Sequence, residues 1–285
     1  LLTMTGKELG VADYLVEKIT KSNTYKVNLR KSLFIGMSDG SRIAHFRRNN
    51  PQISNEQVHP TYELSVAKCK DLIEDLNEDL EKYSLEGEHR FENVFLIDDF
   101  TASGLSYFRI KKYDDRGKPI YGGKIFKFLN RLLNGDQMED DDFKRVFNSK
   151  LSVSIIFYIA TNSALKHIRK MVNEWDDLVA SDITCDVSAI HPINDFDIKN
   201  KVLSSSDFLK LIKNKFDNRV VDSNIEVGNH ENPWLGFNEC GLTIVLNHNC
   251  PNNSLPIIWT PVAPVGQKVF SGLFPRMSRH KDEAE

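Results

Sequence analysis

The sequence predicts an α/β fold with a central parallel sheet and helices on both of its faces. The main observation is the run Val94–Ile97, in which four apolar residues follow one another without the alternation of a half-exposed strand. Asp98 and Asp99 come directly after this run, and polar residues at the carboxyl end of a parallel strand mark the ligand-binding edge of the sheet. Candidate strands and helices then alternate along the chain, as they do in parallel sheets.

Hydrophobic spacing and turn residues define the remaining elements. Helical spacing predicts helices over residues 6–20, 43–48, 63–83, 124–133, 163–175 and 207–216, and the start of a helix over 105–110. Apolar or alternating runs predict strands over residues 32–36, 90–99, 152–160, 185–192 and 242–246. The polar segment 113–119 is typical of a tight turn or a small hairpin, and we expect residues 49–62 to be irregular.

Composition and charge limit the kinds of partner. A formal net charge of −3 over 285 residues gives no overall attraction to nucleic acid or to anionic membranes, so direct nucleic-acid binding is not indicated. No apolar run approaches the roughly 20 residues of a membrane-spanning helix, and the first residues do not resemble a signal peptide. The four cysteines are scattered without a close pair, which predicts reduced thiols. These features favour a cytoplasmic protein.

The loop after the acid pair is suited to phosphate binding. It supplies hydroxyl groups and backbone N–H groups where a helix is expected to begin, and the amino ends of helices attract anions. The acid pair can bind sugar hydroxyl groups, and the adjacent loop can bind a phosphate. Together they predict a sugar phosphate as the ligand. The loop consists of Thr101, Ala102, Ser103, Gly104, Leu105 and Ser106.

Residues 94–106 resemble the phosphoribosyl pyrophosphate (PRPP) motif of type I phosphoribosyltransferases. The resemblance implies that Asp98 and Asp99 hold the ribose 2′- and 3′-hydroxyls and that the loop 101–106 holds the 5′-phosphate. It also implies Mg²⁺ as cofactor, without a direct protein ligand, because Mg²⁺ keeps several waters and binds substrate phosphates. A related sugar phosphate or nucleotide would suit the same site, and a homo-oligomer is compatible with it.

A second loop resembles the pyrophosphate-binding loop of the same family. It follows the strand predicted at 32–36 and consists of Met37, Ser38, Asp39, Gly40, Ser41 and Arg42. Glycine lets the backbone approach an anion, and an arginine offers a bidentate fork to a phosphate. The residues alone leave a second interpretation open, which is a plain strand-to-helix turn with Arg42 in solvent.

The family resemblance further implies a small hood at the carboxyl edge of the sheet. We expect a single domain over residues 1–285, with an N-terminal helical extension at 1–30 and a hood or C-terminal segment at 230–285. Asparagine amides can match the edge of a base and tryptophan can stack on it, so this segment could bind an acceptor. The candidates are Asn249, Asn252, Asn253 and Trp259. The alternative is a turn at Asn252 and Asn253 and a Trp259 that fills the core.

Residues 248–259 are also similar to the tail motif of phosphoribosyltransferase-like proteins encoded in bacterial conflict systems. That similarity implies an effector role in antiviral defence and protein partners in a defence complex.

The chain departs from the purine-salvage branch of the family at two places. Ala102 replaces a carboxylate that acts near the base, and Ser38 and Asp39 stand where that branch has a lysine. Because Asp39 would repel pyrophosphate, the two departures argue against catalysis of base salvage and leave the ribose-phosphate site intact. Three functions stay open: a Mg²⁺-dependent phosphoribosyl transferase, a PRPP- or nucleotide-sensing module without turnover, and a serine hydrolase. The last follows from the literal G-x-S-x-G pattern around Ser38.

Overall fold

The computed structural model describes residues 1–134, 142–179, 181–220, 231–248, 250–261 and 270–276. The chain forms two compact units, Leu1–Ala160 with Leu165–His191 and Thr161–Ala164 with Pro192–Glu285. The first unit contains the acid pair and both candidate anion-binding loops. The expected organisation as one domain with an N-terminal extension and a hood stays a prediction.

Over the described ranges, seven strands form two sheets. They are β1 Ser32–Gly36, β2 Val58–His59, β3 Phe91–Thr101, β4 Arg109–Tyr113, β5 Pro119–Gly122, β6 Phe147–Thr161 and β7 Ile183–Ile193. Five of them make the central sheet in the order β2-β1-β3-β6-β7, and β4 pairs with β5 in an antiparallel hairpin. The pairs β1–β2, β1–β3 and β3–β6 are parallel, so the predicted α/β fold with a central parallel sheet is confirmed.

Helices connect the strands of the central sheet, and further described helices precede β1 and follow β7. They are α1 Leu2–Glu8, α2 Val16–Lys21, α3 Asn23–Arg30, α4 Ile43–Arg48, α5 Val66–Glu81, α6 Lys124–Asn134, α7 Asp142–Arg145, α8 Asn162–Val179, α9 Asp195–Ser204, α10 Ser206–Asn214 and α11 Pro256–Trp259. A 3₁₀ turn at Asp39–Ser41 links β1 to α4. Within the described ranges, no helix is both long enough and apolar enough to span a membrane.

Both faces of the central sheet are covered, which explains the uninterrupted apolar run in β3. Successive side chains of β1 and β3 enter different cores because a strand alternates its side chains between faces. One core joins them to α5, α6 and α8, and from the two strands it takes Leu33, Ile35, Val94 and Leu96. The other joins them to α3 and α4, and from the two strands it takes Phe34, Phe95 and Ile97.

Several local expectations differ from the structure. The helix predicted at 6–20 is two shorter helices, α1 and α2, and Gly10 between them has a φ of +63°, which ends a right-handed helix. The segment 49–62 contains the two-residue strand β2, which is too short to leave a periodic signal. The strand predicted at 242–246 is reduced to an isolated bridge between Leu242 and Ser254.

The hairpin β4–β5 interrupts a helix. Phe108 N–H donates to Gly104 O, so a helical turn begins in the loop after the acid pair. The chain then leaves as the hairpin and returns at Gly123. Lys124 N–H donates to Ser106 O at 3.1 Å and Ile125 N–H donates to Tyr107 O at 3.0 Å. These bonds have the i to i−4 pattern of an α-helix if residues 109–122 are left out of the count. The predicted hairpin is confirmed, whereas the helix predicted at 105–110 completes only its first turn.

Side chains satisfy carbonyl groups at the point of interruption. Arg109 Nη1 donates to Leu105 O at 2.8 Å, and His167 Nε2 lies 2.8 Å from Phe108 O. Gly123 has a φ of +113°, and a Cβ atom there would lie 2.3 Å from the carbonyl oxygen of Tyr107. Only glycine fits this close approach, so Gly123 lets the chain re-enter the helix without displacing the preceding turn.

The second unit has a smaller core of its own. It contains Val202, Ile212, Leu235 and Leu255. Trp259 of α11 is also buried, and its indole N–H donates to Ser254 O at 2.7 Å.

We expect a variant that lacks residues 109–122, with Phe108 joined to Gly123, to fold cooperatively. The helical hydrogen bonds of Lys124 and Ile125 do not depend on the hairpin, although loss of Tyr121, which packs edge-on against Phe108, lowers the melting temperature. Circular dichroism and thermal unfolding measure both effects.

A deletion of residues 109–121 is the matched control. This control retains Gly122, and the one additional residue rotates α6 by about 100° relative to the first turn, which removes the helical register. Equal loss of folding in both deletions would contradict the continuity of this helix.

Candidate functional site

The acid pair lies within the last residues of β3, at the centre of the sheet. Asp98 is fully buried, whereas Asp99 is partly exposed. The alternation of the strand explains the difference, since Asp98 follows Val94 and Leu96 on the face of α6 and Asp99 follows Phe95 and Ile97 on the face of α4. Two adjacent carboxylates therefore have different environments.

Four hydrogen-bond donors surround the carboxylate of Asp98. Ser38 Oγ donates to Oδ1 at 2.5 Å, and the backbone N–H of Asp99 donates to the same oxygen at 3.0 Å. Tyr107 OH lies 2.8 Å from Oδ2 and Lys124 Nζ lies 3.1 Å from it. A carboxylate has about four acceptor positions, so these donors match its full capacity.

Tyr107 donates to this carboxylate at 2.8 Å, and its hydroxyl group also lies 3.1 Å from Phe100 O, a second acceptor for its one proton. Burial, together with the negative charge of Asp98, raises the pKa of the Tyr107 phenol well above 10. The ring packs edge-on against Phe157 with centroids 4.8 Å apart. The hydroxyl group consequently keeps its proton at physiological pH and holds Asp98 in one orientation.

Lys124 supplies the positive charge that a buried carboxylate needs. Its ammonium group pairs with Asp98 and lies 5.0 Å from the centre of the Tyr107 ring. Because residues 107 and 124 are joined through the interrupted helix, both side chains leave the same face of it and reach the same carboxylate oxygen.

The loop Met37–Arg42 contacts both acids. Met37 N–H donates to Ile97 O at 2.9 Å, and Ser38 donates to Asp98. Gly40 faces Asp99 so closely that a Cβ atom at position 40 would lie 2.5 Å from Asp99 Oδ2. The loop predicted for pyrophosphate therefore does lie beside the acid pair. Arg42 is exposed and has a left-handed backbone at the start of α4.

The loop 101–106 forms a turn after the acids. Thr101 and Ala102 are buried, and Ser106 is exposed. Gly104 has a φ of +77° and accepts the backbone N–H groups of Tyr107 and Phe108, which starts the helical turn. The loop 37–42 thus contacts Asp98 and Asp99, and the loop 101–106 follows them directly in the chain within the first unit. The binding roles predicted for their residues stay predictions.

The candidate acceptor residues belong to the second unit. Asn249 lies outside the described residues. Asn252 and Asn253 form a turn, and Asn253 is buried with its amide donating to Phe237 O at 3.2 Å. Trp259 is 3% exposed. This placement agrees with the interpretation as a turn and a core tryptophan, and a role in binding an acceptor stays a prediction.

The structure adds Tyr107 and Lys124, which the sequence did not indicate as site residues. Tyr107 directly follows the recognised loop and resembles any buried aromatic residue. Lys124 is separated from the acid pair by the hairpin, so no spacing rule connects it to the motif. The pair Gly122 and Gly123 before a helical run was the available signal for a restart of the helix.

The environment of Ser38 differs from that of a hydrolase nucleophile. A nucleophile elbow is a strained turn, whereas Ser38 has an extended backbone with φ −159° and ψ 171°. Its hydroxyl group donates to a carboxylate, so the proton is directed toward Asp98. This geometry favours a structural link between β1 and β3 over a nucleophilic serine.

We expect Tyr107→Phe to lower the free energy of unfolding by about 1.5–3 kcal/mol, because Asp98 loses a buried donor. The difference from wild type should shrink above about pH 10. There the unfolded wild-type chain releases the tyrosine proton while the folded protein retains it, so wild-type stability falls as the pH rises.

Urea unfolding of both proteins at pH 8 and pH 10.5 measures this difference. A gap that widens with pH would contradict the assignment of Tyr107 as a protonated donor.

Comparison with known proteins agrees with the family resemblance of the motif. Searches among curated proteins and among solved structures found no match. The family model named PRTase-CE matches residues 7–276, a range that includes the acid pair, both loops and Lys124. Because this match spans nearly the whole sequence, the expected phosphoribosyltransferase-like character is confirmed, and the chain belongs to the PRTase-CE family.

Proposed function

We propose that the protein binds PRPP, or a closely related sugar phosphate or nucleotide, at the carboxyl end of β3. The observation that carries the proposal is the contact of the loop 37–42 with both acids, with Ser38 bonded to Asp98 and Gly40 against Asp99, while the loop 101–106 follows the same acids in the chain. One loop would bind the diphosphate, the other the 5′-phosphate, and the carboxyl end of β3, where the acids lie, would provide the ribose site between them. Family membership supports the same ligand.

Mg²⁺ fits this site as a cofactor held mainly by the ligand. Asp99 is the acid closer to solvent. Asp98 already accepts from four donors, so Asp98 has little capacity left for a cation. In the described part of the chain, no group of three histidine, cysteine or acidic residues could hold a metal ion. When bound, Mg²⁺ neutralises charge on the diphosphate, and Asp99 would bear on it through water.

The activity we propose is transfer of the phosphoribosyl group to an acceptor. In such a reaction the diphosphate leaves as the ribose gains oxocarbenium character, so positioning and charge stabilisation contribute most of the catalysis. A missing proton carrier at Ala102 is compatible with it. The similarity of residues 248–259 to conflict-system proteins supports a further proposal, an effector role in bacterial antiviral defence in the cytoplasm with protein partners.

A sensing module without turnover is the second candidate. Salvage enzymes have a carboxylate at the position of Ala102, which is buried and has no titratable group. Asp39 adds negative charge beside the proposed diphosphate site, which weakens stabilisation of a leaving diphosphate.

We expect the protein to bind PRPP with Mg²⁺ and the double variant Asp98→Asn with Asp99→Asn to lose at least about tenfold in affinity, since both acid sites are removed. Isothermal titration calorimetry measures the affinities. Asp115→Asn, at the exposed tip of the hairpin, is the control and should bind like wild type. Unchanged affinity in the folded double variant would show that PRPP binds elsewhere.

Release of pyrophosphate separates the two candidates. We expect wild-type protein with PRPP, Mg²⁺ and nucleobase, nucleotide or nucleoside acceptors to release pyrophosphate in a coupled assay, and the double variant to release none. Tight PRPP binding without release for any acceptor would favour the sensing module.

A further inference from the structure

Lys124 is the cation at the centre of the candidate site. Its ammonium group contacts Asp98 Oδ2, while Ser38 of the loop 37–42 contacts the other oxygen of the same carboxylate. The side chain of Lys124 is 32% exposed although its partner is fully buried. The positive charge therefore lies at the boundary between the interior and the open edge of the sheet.

Asp98 has little room for a ligand in this arrangement. Ser38, Asp99 N–H, Tyr107 and Lys124 together match the acceptor positions of the carboxylate. A ribose hydroxyl could bond to Asp98 only by displacing one of them. Asp99 accepts the backbone N–H of Phe100 at 2.8 Å and is partly exposed, so it is the acid that a sugar can approach from solvent.

The loop proposed for the diphosphate has one cation of its own, Arg42, but it also carries the negative charge of Asp39. It lacks a lysine, and its Arg42 is an exposed residue at the start of α4. An ammonium group has three protons, and Asp98 takes one of them. Lys124 can thus keep its partner and still donate to a phosphate oxygen beside Ser38.

We propose that Lys124 binds the diphosphate end of the ligand and that Asp98 is the positioning residue that holds Lys124 and Ser38 in place, which leaves Asp99 as the ribose-binding acid. This inference rests on the proposed function. Lys124 thus supplies a positive charge to the diphosphate site. The hairpin insertion separates Lys124 from the motif in sequence, and the interrupted helix brings it back beside Asp98 in space.

Two ligands that differ only in the diphosphate test the inference. We expect Lys124→Met to weaken PRPP binding by at least about tenfold and to leave ribose 5-phosphate binding within about twofold, since the shorter ligand lacks the group that Lys124 contacts. Lys124→Arg should recover most of the PRPP affinity. Lys127→Met, an exposed lysine of the same helix, is the matched control and should bind both ligands like wild type.

The outcomes are distinguishable by calorimetry in the presence of Mg²⁺. Equal weakening of both ligands, or of neither, in a folded Lys124→Met protein would overturn the role of Lys124 while the proposed function stands. If wild-type protein binds neither ligand, the proposed function fails and this inference fails with it.

The positioning role of Asp98 has its own readout. We expect Asp98→Asn to lower the melting temperature, and Lys124→Met to cause a smaller additional loss in the Asp98→Asn background than it causes alone. Fully additive losses would show that Asp98 does not hold Lys124.

Discussion

The buried carboxylate of Asp98 is the constraint on which the site depends. An ionised carboxylate removed from water costs several kcal/mol unless hydrogen bonds and an opposite charge compensate for it. Here the compensation comes from three separate segments: the loop after β1, the turn after β3 and the start of α6. Each segment has to be in place before the charge is stable, so the same interactions that stabilise the fold also set the distances between the loops.

Strand geometry gives the two adjacent acids different roles. A single strand points consecutive side chains to opposite faces, so Asp98 enters the core beneath α6 and Asp99 turns toward the loop that contains Gly40. A pair of carboxylates that looks uniform in the sequence is thus divided into an interior charge and one close to solvent. Lys124 pairs with the interior one, and this positive charge reduces the repulsion between the two.

The sequence predicted those strands, helices and loops that are determined by residues adjacent in the chain. The strand Ser32–Gly36 was predicted with the bounds that the structure has, and β3 and α6 within one or two residues, because buried apolar runs and helical spacing determine them. Both loops were identified because their residues are contiguous. Tyr107 and Lys124 were missed because their role depends on a hydrogen-bond register that passes over residues 109–122, and no periodic pattern extends across an insertion. The helix expected at 6–20 was wrong because the positive φ of Gly10 overrides the spacing of its apolar neighbours.

The interrupted helix has a consequence for how such a protein can vary. The hydrogen bonds of Lys124 and Ile125 close the helix across the base of the hairpin, so the outer residues of the hairpin contribute no backbone bond to the site. Exposed residues such as Lys112, Tyr113 and Arg116 can change without altering the positions of Tyr107, Lys124 or the acid pair. The sequence of a segment inserted between a ligand-binding loop and its helix can therefore change like that of other exposed residues. The residues on either side of the segment stay bound to one buried carboxylate.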